Sequence, residues 1–341
     1  MVRAKLKDVA GLAGVTQAVV SRVFNNDATL KIKEETRSSV LDAIQQLQYE
    51  PNLVARNLRT HTSYTIGVLI PDILNPFFSE VVKGIQNTAN KTNYMVILTD
   101  TSDSMELEKS QIDRLYSQQV DGVILCSTYF DDSIIEVLEE KRIPYVLFNR
   151  RTKNSSASFV VTDDEKGMFV VVNYLIELGH RNIAFLNGPL YADTAIRRLA
   201  GYKQAIKKAG IPYNPEYVVE TMYDAESGYE KCKLLLKLKN RPTAICAAND
   251  LVAIGAMQLI NEEGLNIPSD ISITGFNDIW FASKVYPSLT TIRMPLRQMG
   301  EEVCNMLIRL IENKEGRPAR KRRVFPADLI IRNSTSAPKE L

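Results

Sequence analysis

The chain is expected to fold as an α/β protein of two Rossmann-like lobes behind a small all-α head. Three observations predict this. From Thr65 onward, apolar strand-like runs alternate with amphipathic helical stretches, the pattern of parallel sheets covered on both faces. About ten such strands are too many for one compact sheet, and the series divides near Thr162–Asp163. The first 50 residues carry no strand pattern, only short helical periods.

In the head, Val9, Ala10 and Ala13 recur at helical spacing, and Gly14 follows where a left-handed residue ends a helix. Thr16 suits the N-cap of a second helix, with Val20, Val23 and Phe24 inward. Gln17, Ala18, Ser21 and Arg22 then share its outer face. Two readings fit this periodicity equally: a helix-turn-helix whose outer face reads base edges, or a plain helical hairpin with a polar outside. A third helix spans residues 34–47, with Val40, Ile44 and Leu47 inward. A core of roughly 45 residues is marginal by itself. Pro51 stops that helix and Asn52 suits the cap of another over residues 53–59, which has too few turns to be stable in isolation. Arg56 and Arg59 suit phosphates. Leu58 is an apolar residue with no core to enter, either part of a frayed linker or a wedge into a minor groove.

The lobe strands are expected at residues 65–70, 94–99, 122–127, 145–148, 159–162, 182–187, 217–220, 244–248 and 271–276. Ligands of such sheets lie outside the carboxyl ends of their strands. The polar residues there are Asp72, Asn75, Ser127, Tyr129, Asn149, Arg150, Asn249, Asp250, Asn277 and Asp278. Aromatic residues accompany them: Phe77, Phe78, Tyr129, Tyr223 and Trp280. Turn and cap roles account for any one of these Asn and Asp residues, but their recurrence after successive strands points to a cleft for a small polyhydroxy or heterocyclic ligand.

Composition narrows the function classes. The 341 residues are 45% hydrophobic, enough for sizeable cores, and the net charge of +2 places no bulk field on the chain. Residues 1–62 carry nine Lys/Arg against six Asp/Glu, a modest local excess. Cys126, Cys232, Cys246 and Cys304 have no paired spacing, and Cys126 and Cys246 lie in apolar runs, as buried free thiols do. With only His61 and His180, no histidine-rich metal site is expected, and His180 is assigned to a helix end or a backbone bond. No apolar run approaches the length of a membrane span and no signal peptide opens the chain, so it reads as cytoplasmic, with no membrane partner. There is no GxSxG, no GxGxxG after a strand and no P-loop, so neither an enzyme nor a cofactor is expected.

The order of parts decides the open reading of the head. The stretches DVAGLAGVTQAVVSRVFN, YEPNLVARNLR, TIGVLIPDILNPFF, LGHRNIAFLNGP, RRLAGY, PTAICAANDLVAIGAMQ and GFNDI together resemble the lactose/galactose repressor (LacI/GalR) family over nearly the whole chain. The resemblance implies lobes of periplasmic-binding-protein type and a division into residues 1–50 (helix-turn-helix), 51–62 (hinge helix and linker), 63–162 plus about 293–323 (N-terminal lobe) and 163–292 plus about 324–341 (C-terminal lobe). It implies a regulator, expected to be a repressor, that binds a near-palindromic operator in double-stranded DNA as a homodimer. Gln17, Ala18 and Arg22 fall on base-contacting positions and Leu58 on the minor-groove wedge. Thr16, Ser21, Asn25, Asn52 and Arg56 complete the expected DNA surface. Asn149, Arg198, Tyr223, Asn249, Asp250 and Asp278 fall on effector positions, with Phe77 and Phe78 as the wall. Asn75, Ser127, Tyr129 and Trp280 complete the expected cleft.

A sugar or sugar derivative is the expected effector, held by Arg198 and Asp278 together; a purine or an acidic metabolite would also use Arg198. The alternative is the catabolite-control branch of the family, where a protein corepressor sets the closure. A solute-binding protein of transport shares the two-lobe plan but not the head. Two departures stand out. The loop over residues 26–31 is about two residues longer than usual, and Lys33 replaces a Ser cap. No leucine heptad follows residues 329–335, so a dimer is expected rather than a tetramer. The basic run Arg320–Lys321–Arg322–Arg323 is assigned to a solvated connector rather than a second nucleic-acid patch.

Overall fold

Gly14 ends the first helix at φ 65°, and its N–H bonds back to the Ala10 carbonyl. That left-handed residue turns the chain from α1 (Leu6–Ala13) into α2 (Gln17–Phe24); α3 is Glu34–Gln46. The computed structural model describes residues 4–24, 26–49, 62–131, 133–153, 157–313 and 321–339. It forms two units, Met1–Ser63 and Tyr64–Leu341.

In the first unit the Thr16 hydroxyl accepts the Val19 N–H at 3.4 Å and starts α2. Val9, Ala10, Val20, Val23, Val40 and Ala43 form the buried core. Phe24 departs from the expected inward pose: it is 40% exposed and meets Tyr49 edge-on at 6.2 Å. A helix of eight residues buries only a narrow stripe, and Val20 and Val23 fill it. Lys33 makes no side-chain cap, and α3 instead begins with Glu34 and Glu35 near the positive end of its dipole.

The second unit holds two six-stranded sheets. The first lobe contains β1 (Thr65–Ile70), α4 (Phe77–Lys91), β2 (Met95–Asp100), α5 (Met105–Ser117), β3 (Gly122–Leu125), α6 (Ile134–Glu140), β4 (Tyr145–Phe148) and β5 (Phe159–Thr162). The second contains α7 (Asp164–Glu177), β6 (Ile183–Asn187), α8 (Asp193–Lys208), β7 (Val218–Glu220), α9 (Ala225–Leu236), β8 (Ala244–Ala247), α10 (Asp250–Glu262), β9 (Ser272–Asn277) and β10 (Thr290–Arg293). The chain then returns through α11 (Leu296–Glu312), β11 (Arg322–Phe325) and β12 (Asp328–Ile330).

The strand orders are β11-β5-β4-β3-β1-β2, all parallel, and β12-β10-β9-β8-β6-β7, parallel except for β12. Apart from the late strands β11 and β12, the two lobes repeat one topology. Central strands β3, β5, β6, β8 and β9 are buried along their length, as sheets with helices on both faces require.

The chain passes between lobes after β5, after β10 and after β11. The last passage falls at residues 326–327, because β11 pairs with β5 through Phe325. Helix α11 was not among the expected elements. Its Leu296, Met299, Val303 and Leu307 are buried. Gly84 and Gly300 let α4 and α11 touch backbone to backbone; a Cβ at either would strike the carbonyl of Arg297 or Val81. All four cysteines are buried free thiols. Arg320 lies outside the described residues, while exposed Arg322 and Arg323 open β11 and lie over the rings of Phe159 and Phe325. No helix among the described residues is long and apolar enough to cross a membrane.

His180 is buried and pins the C-terminal segment to the second lobe. Its Nε2 lies 2.9 Å from the Ser336 carbonyl and its Nδ1 2.9 Å from the Thr243 hydroxyl. A carbonyl only accepts, so Nε2 carries the proton and Nδ1 accepts. Burial lowers the ring pKa from 6.5, against a smaller upward pull from the Ser336 bond. The unfolded ring therefore protonates where the folded one stays neutral, so this contribution to stability is present above about pH 6.5 and lost as pH falls through it. Lowering the pH from about 7.5 to about 5.5 should cost the wild type more stability in urea unfolding than it costs His180→Gln. Equal losses would contradict a neutral buried ring.

Candidate functional site

The order of each sheet reverses between β1 and β3 and between β6 and β8, so the helices there leave on opposite faces and a crevice opens at the carboxyl ends. A cavity of about 470 Å³ occupies this place, within the size range of small-molecule sites. The first lobe contributes Asp72, Asn75, Phe77, Phe78, Asp100, Ser102, Asp103, Asn149 and Arg150; the second contributes Thr194, Arg198, Met222, Tyr223, Asp224, Asn249 and Asn277. Five of these residues have left-handed backbones: Ser102 (φ 46°), Asp103 (50°), Asn149 (64°), Tyr223 (66°) and Asn277 (114°). Each lies at or just beyond the end of a strand. Such conformations cost free energy in residues with a Cβ and concentrate where side chains must be aimed.

The walls are fixed from behind. Phe77 and Phe78 are buried and meet edge-to-face at 4.9 Å. The Tyr223 hydroxyl bonds Thr194 at 2.7 Å, and the Tyr223 ring lies against Gly188, where any Cβ would collide with it. Asn249 caps α10 through the Val252 N–H at 2.8 Å while its amide donates to the Tyr223 carbonyl at 2.8 Å.

Both guanidiniums of the cleft are already paired. Arg198 contacts Asp164 at 2.7 and 2.8 Å, donates to the Ala248 carbonyl at 2.5 Å and lies 3.9 Å over the Phe276 ring. Arg150 pairs with Asp103 at 2.6 Å. Burial works against the Arg150 charge, but the Asp103 carboxylate outweighs it and raises the guanidinium above its usual pKa. Asp103 also joins the lobes, since Tyr191 donates to it at 2.5 Å. The side-chain carbonyls of Asn149 and Asn277 are buried and have no donor among the described residues.

Ten of the residues expected in the cleft line it: Asp72, Asn75, Phe77, Phe78, Asn149, Arg150, Arg198, Tyr223, Asn249 and Asn277. Five do not. Ser127 is buried and donates to Glu108 at 2.6 Å. Tyr129 is stacked on Tyr191 at 4.5 Å. Asp250 accepts from the Thr291 hydroxyl at 2.5 Å and the Ile279 N–H at 2.8 Å, and burial pushes its pKa up to about 7. Asp278 pairs with Arg293 and Arg332, each at 2.6 Å, so it does not join Arg198 around a ligand as expected. Trp280 is 69% exposed. Asp100, Ser102, Asp103, Met222 and Asp224 also line the cleft without having been expected there, although they lie at or beyond the ends of β2 and β7, where the strand-end rule places ligand contacts.

On the head, Thr16, Gln17, Ala18 and Arg22 are exposed and Ser21 is half-buried. Asn25, Asn52, Arg56 and Leu58 lie outside the described residues. Arg22 donates from Nε to Asp27 at 2.8 Å and from Nη2 to the Thr29 hydroxyl at 2.9 Å. Hydrogen bonds from Thr29, and then from Arg22, lower the Asp27 pKa to about 2.

Residues 5–52 match the family described as "Bacterial regulatory proteins, lacI family", and residues 172–335 match a "Periplasmic binding protein-like domain". The chain is 38% identical over 315 residues to the HTH-type transcriptional regulator RegA of Clostridium saccharobutylicum, covering 91% of this chain and 93% of that one. It is similar to a lac repressor dimer solved with operator and the anti-inducer ONPF, with a TM-score of 0.88 and 30% identity, covering 98% of this chain and 100% of that one. A complex of the regulator CelR with cellobiose gives a TM-score of 0.75 at 29% identity, covering 97% and 100%.

The Asp164 carboxylate has no solvent exposure and contacts two guanidiniums, those of Arg197 and Arg198. Asp164→Ala would leave Arg198 without its buried counter-charge and Arg197 with Asp193 alone, and should cost about 3–5 kcal/mol in chemical unfolding. A loss under about 1 kcal/mol would show that the pairing does not organise the cleft.

Proposed function

The chain belongs to the lacI family of bacterial regulatory proteins, and from that premise we propose a transcriptional repressor that binds a palindromic operator as a homodimer and is set by an uncharged sugar in its cleft. The observation that carries this reading is the crevice where both sheets reverse, rimmed by five left-handed residues from both lobes. A rim contributed by both lobes suits a ligand that favours one closure angle over another. Only differential affinity for the two closures moves such an equilibrium.

The chemistry of the lining supports the ligand class. Asp72, Asp100, Asp103 and Asp224 are acceptors, and the amides of Asn149 and Asn277 hold acceptors still unpaired. Arg150 and Arg198 are committed to carboxylates. A cleft rich in acceptors, with an aromatic wall and no spare cation among the described residues of its lining, suits a donor-rich neutral polyol. It repels a phosphate or a sugar acid. The sugar in the CelR relative is in keeping with this.

Pairing is supported by apolar surface. Met95 on the edge strand β2 is 64% exposed, and Trp280 and Tyr286 are exposed on the second lobe. Gln17, Ala18 and Arg22 are proposed to read bases, with Thr16, Ser21 and Asn25 beside them. Residues 51–62 act as the hinge, in which Asn52 and Arg56 meet the backbone and Leu58 enters a minor-groove step.

Calorimetric titration of the full chain with neutral mono- and disaccharides, each beside its phosphate ester and its acid, tests the ligand assignment. At least one neutral sugar should bind. Its charged analogues should bind about 100-fold more weakly, since repulsion between close charges costs about 3 kcal/mol near a protein surface. Tighter binding of a charged analogue would contradict the assignment. Silence across the panel would favour a protein corepressor.

A further inference from the structure

We propose that Asp27 and Thr29, in the lengthened loop after α2, are positioning residues that hold Arg22 in the pose that reads a base pair. The inference rests on the reading of Arg22 as a base contact and adds residues to which neither the fold nor the family resemblance gives a role.

The geometry is a closed ring of bonds. Asp27 Oδ1 accepts the Thr29 N–H at 2.9 Å and its hydroxyl at 2.7 Å. Asp27 Oδ2 and Thr29 Oγ1 then take Nε and Nη2 of Arg22 at 2.8 and 2.9 Å. The Asp27 N–H closes the ring on the Arg22 carbonyl at 3.0 Å. One side of the guanidinium plane is thereby used. The end-on edge, Nη1 with the second hydrogen of Nη2, has no partner among the described residues. That edge presents two parallel donors, the pattern that matches O6 and N7 of guanine.

An unrestrained arginine loses several rotatable bonds when it docks, and holding the fork beforehand removes much of that loss. Arg22 is half-exposed, in the last turn of a helix of eight residues, and among the described residues its guanidinium bonds only to Asp27 and Thr29. The loop over residues 26–31 supplies the brace through Asp27 and Thr29. A carboxylate on a DNA-facing surface also repels phosphates. Asp27 should therefore weaken binding to arbitrary duplex while it strengthens the choice of one sequence, which a purely structural turn would not do.

The test uses the full chain, a preferred duplex selected from a random library, and a scrambled duplex. Arg22→Ala should collapse the ratio of specific to non-specific affinity. Asp27→Asn should lower that ratio about 10-fold while non-specific affinity holds or rises. Thr29→Val should lower the ratio and Thr29→Ser restore it, all at an unchanged melting temperature. Asp27→Asn added to Arg22→Ala should cost nothing more.

If Arg22→Ala leaves the ratio intact, the base-reading role of Arg22 is wrong. If Arg22→Ala collapses it while Asp27→Asn and Thr29→Val keep the wild-type ratio, positioning is overturned and the base reading stands. Should Asp27→Asn melt the head, the Val and Ser variants of Thr29 decide: equal ratios for the two overturn the proposal.

Discussion

Asp164 sits at the first passage between the lobes, without solvent exposure, between Arg197 at 2.5 Å and Arg198 at 2.7 Å. Arg197 reaches from there to the carbonyls of Thr162 and Asn149, at the ends of β5 and β4. Arg198 reaches the carbonyl of Ala248, at the end of β8. One carboxylate thus fixes strand ends of both sheets around the cleft. Burying such charges gains little net stability over apolar packing, but the bonds hold only in one arrangement, and losing a partner is costly. The shape of the cleft depends on this arrangement more than on any residue lining it.

The same arrangement settles what the cleft has left to give. Its guanidiniums are spent in setting the geometry, so the remaining lining groups are largely acceptors and aromatic faces. Asp103 shows how a ligand on the rim could affect closure. It lines the cavity, pairs with Arg150 and accepts from Tyr191 of the opposite lobe. A ligand hydroxyl that competes for this carboxylate acts directly on a bond between the lobes.

Much of this was legible in the sequence. Buried parallel strands leave long apolar runs, and the left-handed turn at Gly14 announces itself by residue type. The rule that ligands sit beyond strand ends found Asn75, Asn149, Asn249 and Asn277. It misassigned Asp250 and Asp278, because an Asp beyond a strand end serves equally well as an internal acceptor. Their partners Thr291, Arg293 and Arg332 lie far along the chain and cannot be paired by spacing. Trp280 was misplaced for a related reason: adjacency to Asp278 in sequence says nothing about which way a loop turns its ring. Helix α11 has a regular apolar stripe, but it follows β10, whose four residues are too short and polar a run to mark another strand–helix unit. The length of the loop over residues 26–31 was visible. Its use as a brace for Arg22 was not, because that needs the side-chain geometry.

If closure around a sugar and the grip on DNA are two faces of one equilibrium, each must alter the other by the same factor. The most direct measurement is therefore a pair of titrations on the full chain. One follows affinity for the selected duplex with and without saturating sugar; the other follows affinity for the sugar with and without saturating duplex. The two ratios should be equal and differ from one by at least about fivefold, a coupling of roughly 1 kcal/mol or more. A sugar that binds while leaving duplex affinity unchanged would contradict the account at its centre.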